Sequence, residues 1–229
     1  FYTICQRTLD AYFLHNLPEE VGGDLYDFYM DGNHLYFLIG DVSGKGVPAS
    51  LFMAITRSLF RTLSQHVLSP AKIVTEMNNS ISDNNESNMF VTLIVGILDL
   101  ETGILKLCNA GHNPPILIYP DGQVSYLEFK TQIFVGVVED FKYSDEEVVL
   151  EKESKLFLYT DGVTEAENIN KELYGEEKLL EMLSDNASSD VRTTVSVVVD
   201  SIASHVKEAE ASDDLTILLI QYEPGTANS

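Results

Sequence analysis

The 229-residue sequence predicts an α+β fold, and three observations carry that expectation. Turns rich in glycine and asparagine join short apolar runs into hairpins. The helical stripes fall together in two places instead of alternating with strands, and no Pro/Gly/Ser-rich linker divides the chain. A composition of 45% hydrophobic and 22% charged residues is ordinary for a globular domain with a substantial core.

Asp24 to Met30 and His34 to Gly40 read as aromatic-rich strands, joined by Asp31-Gly32-Asn33, where Gly and Asn tolerate positive φ. Gly44 and Gly46 then break the chain. Pro48 suits the first turn of a helix that runs on through Ala49 to Ile55. Ser69-Pro70 opens a second helix, with Ile73, Met77 and Ile81 on one face, ending in the polar run from Ser82 to Asn88. Next come strands at Phe90 to Asp99, Ile104 to Ala110, Ile116 to Tyr119, Gln123 to Leu127, Val148 to Leu150 and Lys155 to Thr160. Pro120-Asp121-Gly122 marks a second hairpin. Val191, Val195, Val198, Ile202 and Val206 space as the buried stripe of a helix despite their β-branching. Leu215 to Gln221 is the last strand, and residues 223–229 read as a frayed tail after a domain spanning 1–222.

Charge excludes whole classes of function. Fourteen basic against 36 acidic residues give −22, of which residues 116–229, with 8 basic and 24 acidic, carry −16. No basic footprint exists for nucleic acid, and anionic membrane surfaces would repel such a chain. Its longest apolar run, Val91 to Leu98, is too short to span a bilayer. Cys5 and Cys108 form no CxxC or Cys/His zinc pattern, which fits a reducing compartment. A cytoplasmic location is expected. The chain opens at Phe1 and reads as a fragment of something longer, whose missing N-terminal region could tether it to a membrane.

Four acidic positions share one context, a strand end beside a glycine or another acid. They are Asp24 after Gly22-Gly23, Asp41 after Gly40, Asp161 before Gly162, and Asp213 beside Asp214. Glycine lets a backbone approach a ligand closely, and a carboxylate at the lip of a sheet is held firmly yet reaches solvent. Hard divalent cations take oxygen ligands, and converging carboxylates are costly without a cation. Any single Asp-Gly is ordinarily a turn, and spacing alone leaves the metal site and the turn reading level.

Other chemistries fail on inspection. Gly40 to Gly46 lacks the spacing of a phosphate-binding loop, and Gly46 stands where that loop needs Ser or Thr. Ser43 lacks the glycine two positions earlier that a hydrolase nucleophile elbow requires. The histidines show no HExxH pairing, and His112, in the turn Asn109 to Pro115, is the one in a site-like context. His15, His34, His66 and His205 read as surface or satisfied core residues. An EF-hand needs its ligands in one loop, whereas these aspartates spread over the chain.

Five motifs occur together in order: Val21-Gly22-Gly23-Asp24, Gly40 to Ala49, Asn109 to Pro115, Tyr159 to Ala166, and Asp213-Asp214-Leu215-Thr216. With them the chain resembles, over nearly its whole length, the SpoIIE-type phosphatase domain, the bacterial branch of the PPM metal-dependent serine/threonine phosphatases. The resemblance implies a four-layer αββα sandwich, two antiparallel sheets flanked by helix pairs. It implies two divalent cations, Mn or Mg, with Asp41 bridging them. Asp24 and the Val42 carbonyl would hold one, Asp161 and Asp213 the other, with Asp214 in support. Hydroxide generated there would attack a phosphoserine in line, without a phosphoenzyme.

Eukaryotic-type members read Asp-Gly-His-Gly where this chain reads Asp41-Val42-Ser43-Gly44. The family's usual leaving-group acid is therefore replaced by Ser43, a poor one, and Lys45 is a weak candidate for touching phosphate. His112 stands where those relatives carry an acid that can hold a third metal, so no third site is expected. Gly22, Gly23, Gly44, Gly46, Asn109 and Gly162 would shape the surroundings. The resemblance further implies a phosphorylated STAS-domain anti-anti-sigma factor as substrate and an upstream sensor or coiled coil; the sequence leaves room for a homodimer without fixing the oligomeric state. The two helices after Asp41 resemble a signal-transmitting pair. The competing expectation is a degenerate phosphatase module that only binds a phosphoprotein; the presence of all four aspartates favours the enzyme.

Overall fold

The computed structural model describes residues 2–6, 9–16, 22–83, 85, 88–207, 209 and 213–223, with 2–16 as backbone alone. Two compact units emerge, each assembled from separated stretches of chain. One comprises residues 20–114 and 128–149, and the other 1–19, 115–127 and 150–229. Each contains one antiparallel sheet and its own pair of helices, as an α+β chain with grouped helices should.

The first unit holds a five-stranded sheet ordered β3-β4-β5-β6-β9. Its strands are β3 (Asp24–Asp31), β4 (His34–Val42), β5 (Val91–Asp99), β6 (Ile104–Ala110) and β9 (Glu146–Val149). Gly32, at φ 58°, makes the β3–β4 turn that the sequence marks. Strand β4 is buried at six consecutive positions, Leu35 to Gly40, so both of its faces are out of water. Gly96 of β5 lies opposite Phe37, whose ring would meet an added Cβ at 2.0 Å. That ring fills the space a side chain would take.

Helices α1 (Val47–Leu63) and α2 (Pro70–Ser82) lie on this sheet. The Ser69 hydroxyl caps α2 by accepting from the Lys72 amide. Ile73, Met77 and Ile81 enter the core as their spacing requires, beside Leu38, Phe60 and Val95. By contrast α1 buries only Ala49, Thr56 and Phe60. An ion pair adds to that thin packing. Asp27, 3% exposed on β3, receives a two-pronged bond from Arg61 (2.5 and 2.6 Å) and lies 3.3 Å from the Arg57 Nε. The Arg61 guanidinium also bonds the Phe28 carbonyl and covers the Tyr29 ring.

The second unit holds a six-stranded sheet ordered β1-β2-β11-β10-β7-β8. These are β1 (Tyr2–Gln6), β2 (Leu9–Asn16), β7 (Ile116–Ile118), β8 (Val124–Tyr126), β10 (Lys155–Tyr159) and β11 (Leu215–Tyr222). Helices α3 (Glu176–Asp185) and α4 (Val191–Val206) complete it. Val191, Val195, Val198 and Ile202 join Phe157, Ile217 and Leu219 in its core. Lys155 is 5% exposed and donates to the Ala187 and Ser189 carbonyls, which ties down the turn between α3 and α4. Burial lowers its ammonium pKa, against the raising effect of Asp190.

Strands β1 and β2 and helix α3 were not expected from the sequence, and β9 begins two residues earlier than Val148. The expected tail lies outside the described residues after Glu223. Among the described residues no helix is long and apolar enough to cross a membrane.

Burial alone would raise the Asp27 carboxyl, but the bonds and charges of Arg61 and Arg57 outweigh it and hold the pKa below 3.8. A depressed carboxylate stabilises the fold fully above the unfolded value, and that stability is lost as pH falls through the folded one. Arg61→Ala should therefore cost about 3 kcal/mol in urea unfolding at neutral pH, because it strips most of the counter-charge from a buried carboxylate. Asp27→Asn should flatten the stability profile below about pH 4. An acid limb identical to that of the parent chain would show that the pair contributes nothing.

Candidate functional site

The aspartates singled out in the sequence come together two by two, one pair in each unit. In the first, Asp24 opens β3 and Asp41 closes β4, and the two are register partners. Partners on adjacent antiparallel strands share a face, with Cβ atoms about 4.5–5.5 Å apart, and like charges there repel. Asp24 is 5% exposed and Asp41 half-buried, so water screens this pair poorly.

Gly23 explains how the carboxylates are seated. A Cβ on Gly23 would stand 2.6 Å from the Val42 carbonyl oxygen and 2.9 Å from Asp41 Oδ1. Two oxygens thus converge on a cradle that any side chain would fill. The Val42 amide donates to the Gly23 carbonyl (3.2 Å) and holds the loop before β3 against the end of β4. Gly22, half-buried, precedes it.

Beyond Asp41 the chain turns through Ser43 to Gly46 into α1. Gly44 and Gly46 take φ values of 90° and 77°, and Gly46 serves as the α1 N-cap. Both positions have open space for a Cβ, so left-handed backbone is what demands glycine there. The Ser43 amide donates to the Phe90 carbonyl and its hydroxyl accepts from the Phe90 amide, both at 2.9 Å. Ser43 is thereby a latch between this loop and β5. Lys45 is exposed.

His112 is 5% exposed, and its Nδ1 lies 2.9 Å from the Thr92 hydroxyl, Thr92 being the β5 register partner of Asp41. Asn109 closes the turn around it, accepting from the His112 amide (2.8 Å) and donating to its carbonyl (3.0 Å). Through Thr92 the His112 ring is joined to the face that carries Asp41. The remaining histidines with described side chains lie elsewhere: His66 pairs with Asp31, His205 meets the Glu172 carbonyl, and His34 is half-buried on β4.

In the second unit Asp161 begins a single 3₁₀ turn directly after β10, and Asp213 and Asp214 precede β11. The two segments are bound by Thr160 N–H to the Thr216 carbonyl and Thr216 N–H to the Thr160 hydroxyl, each at 3.1 Å. A Cβ on Gly162 would sit 1.9 Å from the Asp214 carbonyl oxygen, so only glycine lets the segments approach this closely. Asp213 is exposed while Asp214 is 2% exposed and donates its amide to Asp213 Oδ1 (3.0 Å). Asp213 thus stands at the surface while Asp214 is enclosed. Glu165, not singled out in the sequence, shares this neighbourhood. Partial burial and then the charges of Asp161 and Asp213 push its carboxyl pKa up.

No group of three or more His, Cys, Asp or Glu side chains in metal-binding geometry occurs among the described residues. Each pair nonetheless offers carboxylate oxygens at or beside strand ends next to a glycine, the donor type that a hard divalent cation takes. The Val42 carbonyl adds a neutral oxygen to the first pair.

Two antiparallel sheets, each with its own pair of helices, are the fold of PP2C-type domains, as comparison with known structures shows. The PP2C domain of SiaA from Pseudomonas aeruginosa superposes with a TM-score of 0.83 at 22% identity, covering 93% of this chain and 86% of that one. The PP2C phosphatase domain of SpoIIE from Bacillus subtilis, solved with a fragment of its regulatory domain, gives 0.78 at 17% identity over 93% and 63%. The family model described as stage II sporulation protein E (SpoIIE) matches residues 31–223, and the chain belongs to that family. Among curated relatives, the phosphoserine phosphatase RsbU of Bacillus subtilis is 26% identical over 217 residues, covering 94% of this chain and 64% of its own length. Protein IcfG of a Synechocystis strain is 27% identical over 228 residues, 87% of this chain and 36% of the relative. The chain thus spans between about a third and two thirds of these relatives.

Gly23→Ala should weaken manganese uptake by at least about tenfold in titration calorimetry, because the added methyl displaces Asp41 Oδ1 or the Val42 carbonyl. Unchanged affinity would mean that this cradle holds no cation.

Proposed function

We propose that this domain is a divalent-cation-dependent phosphoprotein phosphatase acting on phosphoserine. The observation that carries the reading is the repeated construction of the two pairs, Asp24 with Asp41 and Asp161 with Asp213, each at strand ends beside a glycine that no other residue could replace. Family membership and the similarity to RsbU support it.

In this reading Asp24, Asp41 and the Val42 carbonyl hold one manganese or magnesium ion and Asp161 and Asp213 hold a second. Bound there, the cations would supply Lewis acidity and a water acidic enough to attack near neutral pH. The chain's own part is to orient and to hold charge. Asp214 and Asn109 keep the ligand-bearing segments in place, and the Ser43–Phe90 bonds fix the loop after Asp41. Ser43 is committed to that latch, so its hydroxyl is not the group that would hand a proton to the departing seryl oxygen. Lys45, exposed on the same loop, is the side chain proposed to meet a phosphate oxygen.

The substrate proposed is a serine-phosphorylated STAS-domain anti-anti-sigma factor, and the parent protein is proposed to be cytoplasmic with a sensor preceding this domain. The support is the family and the relative RsbU.

Asp41→Asn and Asp161→Asn should each lower manganese-dependent hydrolysis of para-nitrophenyl phosphate by at least about 100-fold while the circular dichroism spectrum stays unchanged. Near-parental turnover by either variant would remove the assigned roles. Calcium should not replace manganese in the same assay.

A further inference from the structure

Beside the Asp41 loop, the first unit exposes an aromatic and aliphatic ledge that neither its core nor the carboxylate pair uses. Phe90 is bonded twice to Ser43, two residues from Asp41. The Phe134 ring stacks on Phe90 with centroids 5.1 Å apart and planes 22° from parallel. It also lies directly over Gly111, where a Cβ would come within 2.0 Å of it. Val91 and Val135 exchange two backbone bonds of 3.0 Å, which fixes the segment bearing Phe134 to the start of β5. The ledge is therefore rigid.

It is also open. Phe134 is 39% exposed, Val137 49% and Val138 41%, three large apolar side chains within five residues. Their backbone is pinned from below. Asn78 donates to the Val138 carbonyl (2.9 Å) and accepts from the Gly136 amide (2.9 Å), while Asn85 donates to the Gly136 carbonyl. Ordered backbone beneath uncovered apolar side chains is the character of a recognition surface. Glu139 and Asp140, both exposed, follow immediately and give the ledge an acidic rim.

From these observations we propose that Phe134, Val137 and Val138 dock the polypeptide flanking the phosphoserine. They would take an apolar side chain, with a basic residue of the same segment meeting Glu139 and Asp140. The inference rests on the phosphatase reading above. Two residues of chain, one backbone bond and one ring stack separate Asp41 from Phe134, a path on the order of 10–15 Å. An extended peptide advances about 3.3 Å per residue, so the apolar side chain falls roughly three to four positions from the phosphoserine. The charge of the rim selects the sign of its neighbour.

The test uses two phosphoserine peptides of equal length and this chain with manganese. One peptide carries leucine then arginine at the fourth and fifth positions from the phosphoserine, and the other glycine then glutamate. Phosphate release should favour the first by about tenfold in kcat/KM. That ratio should fall to about twofold or less in Val137→Ser/Val138→Ser and in Phe134→Leu. Because both peptides are measured on the same variant, a general loss of activity or folded fraction cancels. An unchanged ratio in the folded double variant, or no preference in the parent chain, would overturn the docking role. Failure of the parent chain to hydrolyse either peptide or para-nitrophenyl phosphate would instead sink the phosphatase reading.

Discussion

Two carboxylates facing each other across neighbouring strands set the terms for the first unit. Asp24 and Asp41 occupy one face at adjacent strand ends, with one of them almost wholly buried, and the local low dielectric magnifies their repulsion. A fold tolerates such an arrangement when a counter-charge arrives or when the backbone leaves no alternative. Here the backbone is stiff on every side. The register of β3, β4 and β5, the Gly23–Val42 bond and the Ser43–Phe90 latch leave Asp41 no room to relax. In the proposed reading a cation would offset the repulsion that movement of the strands cannot dissipate.

The second unit solves the same problem by a different local route. Asp161 and Asp213 lie on segments that meet through Thr160, Thr216 and the contact of Gly162 with the Asp214 carbonyl. In both units a glycine buys proximity, and the two glycines do so with different backbone geometry, neither needing positive φ. Their role is absence of volume. This separates them from Gly44 and Gly46, which have space to spare and are required by their dihedrals. Substitution with alanine would act on ligand placement in the first case and on loop conformation in the second.

Local signals were readable in the sequence because they depend on neighbours a few residues apart. The Asp31-Gly32-Asn33 and Pro120-Asp121-Gly122 turns, the proline-led helices and the valine stripe of α4 all appear where their spacing places them. Asp24, Asp41 and Asp161 stood out through adjacent glycines, and Asp213 through its acidic neighbour Asp214. What stayed hidden depends on distant partners. Strand β2 lies between β1 and β11, so its place in the sheet follows from a pairing with the far end of the chain. Helix α3 is short and half charged, with only Leu179 and Leu183 buried, which leaves little periodicity to read. Asp27 looks like any polar residue on an alternating strand until Arg57 and Arg61 reach it from α1. Ser43 offered a conspicuous hydroxyl whose real partner, Phe90, is 47 residues away.

That partner also bears on how the leaving group is handled. A hydroxyl accepting from a backbone amide is oriented by it, and its remaining proton belongs to an alcohol far too weak an acid to assist at neutral pH. The His112 ring, almost wholly buried, is bonded to Thr92 on the face that Asp41 shares. The Ser43 hydroxyl is in this unit spent on architecture. In the proposed reading catalysis on such a frame would lean on charge, with the carboxylates placing cations and the cations stabilising what leaves. The same frame explains the Asp27–Arg61 pair. When placement does most of the work, a helix that follows directly from the ligand loop and is thinly packed needs a second anchor at its far end, and the buried carboxylate of β3 provides it.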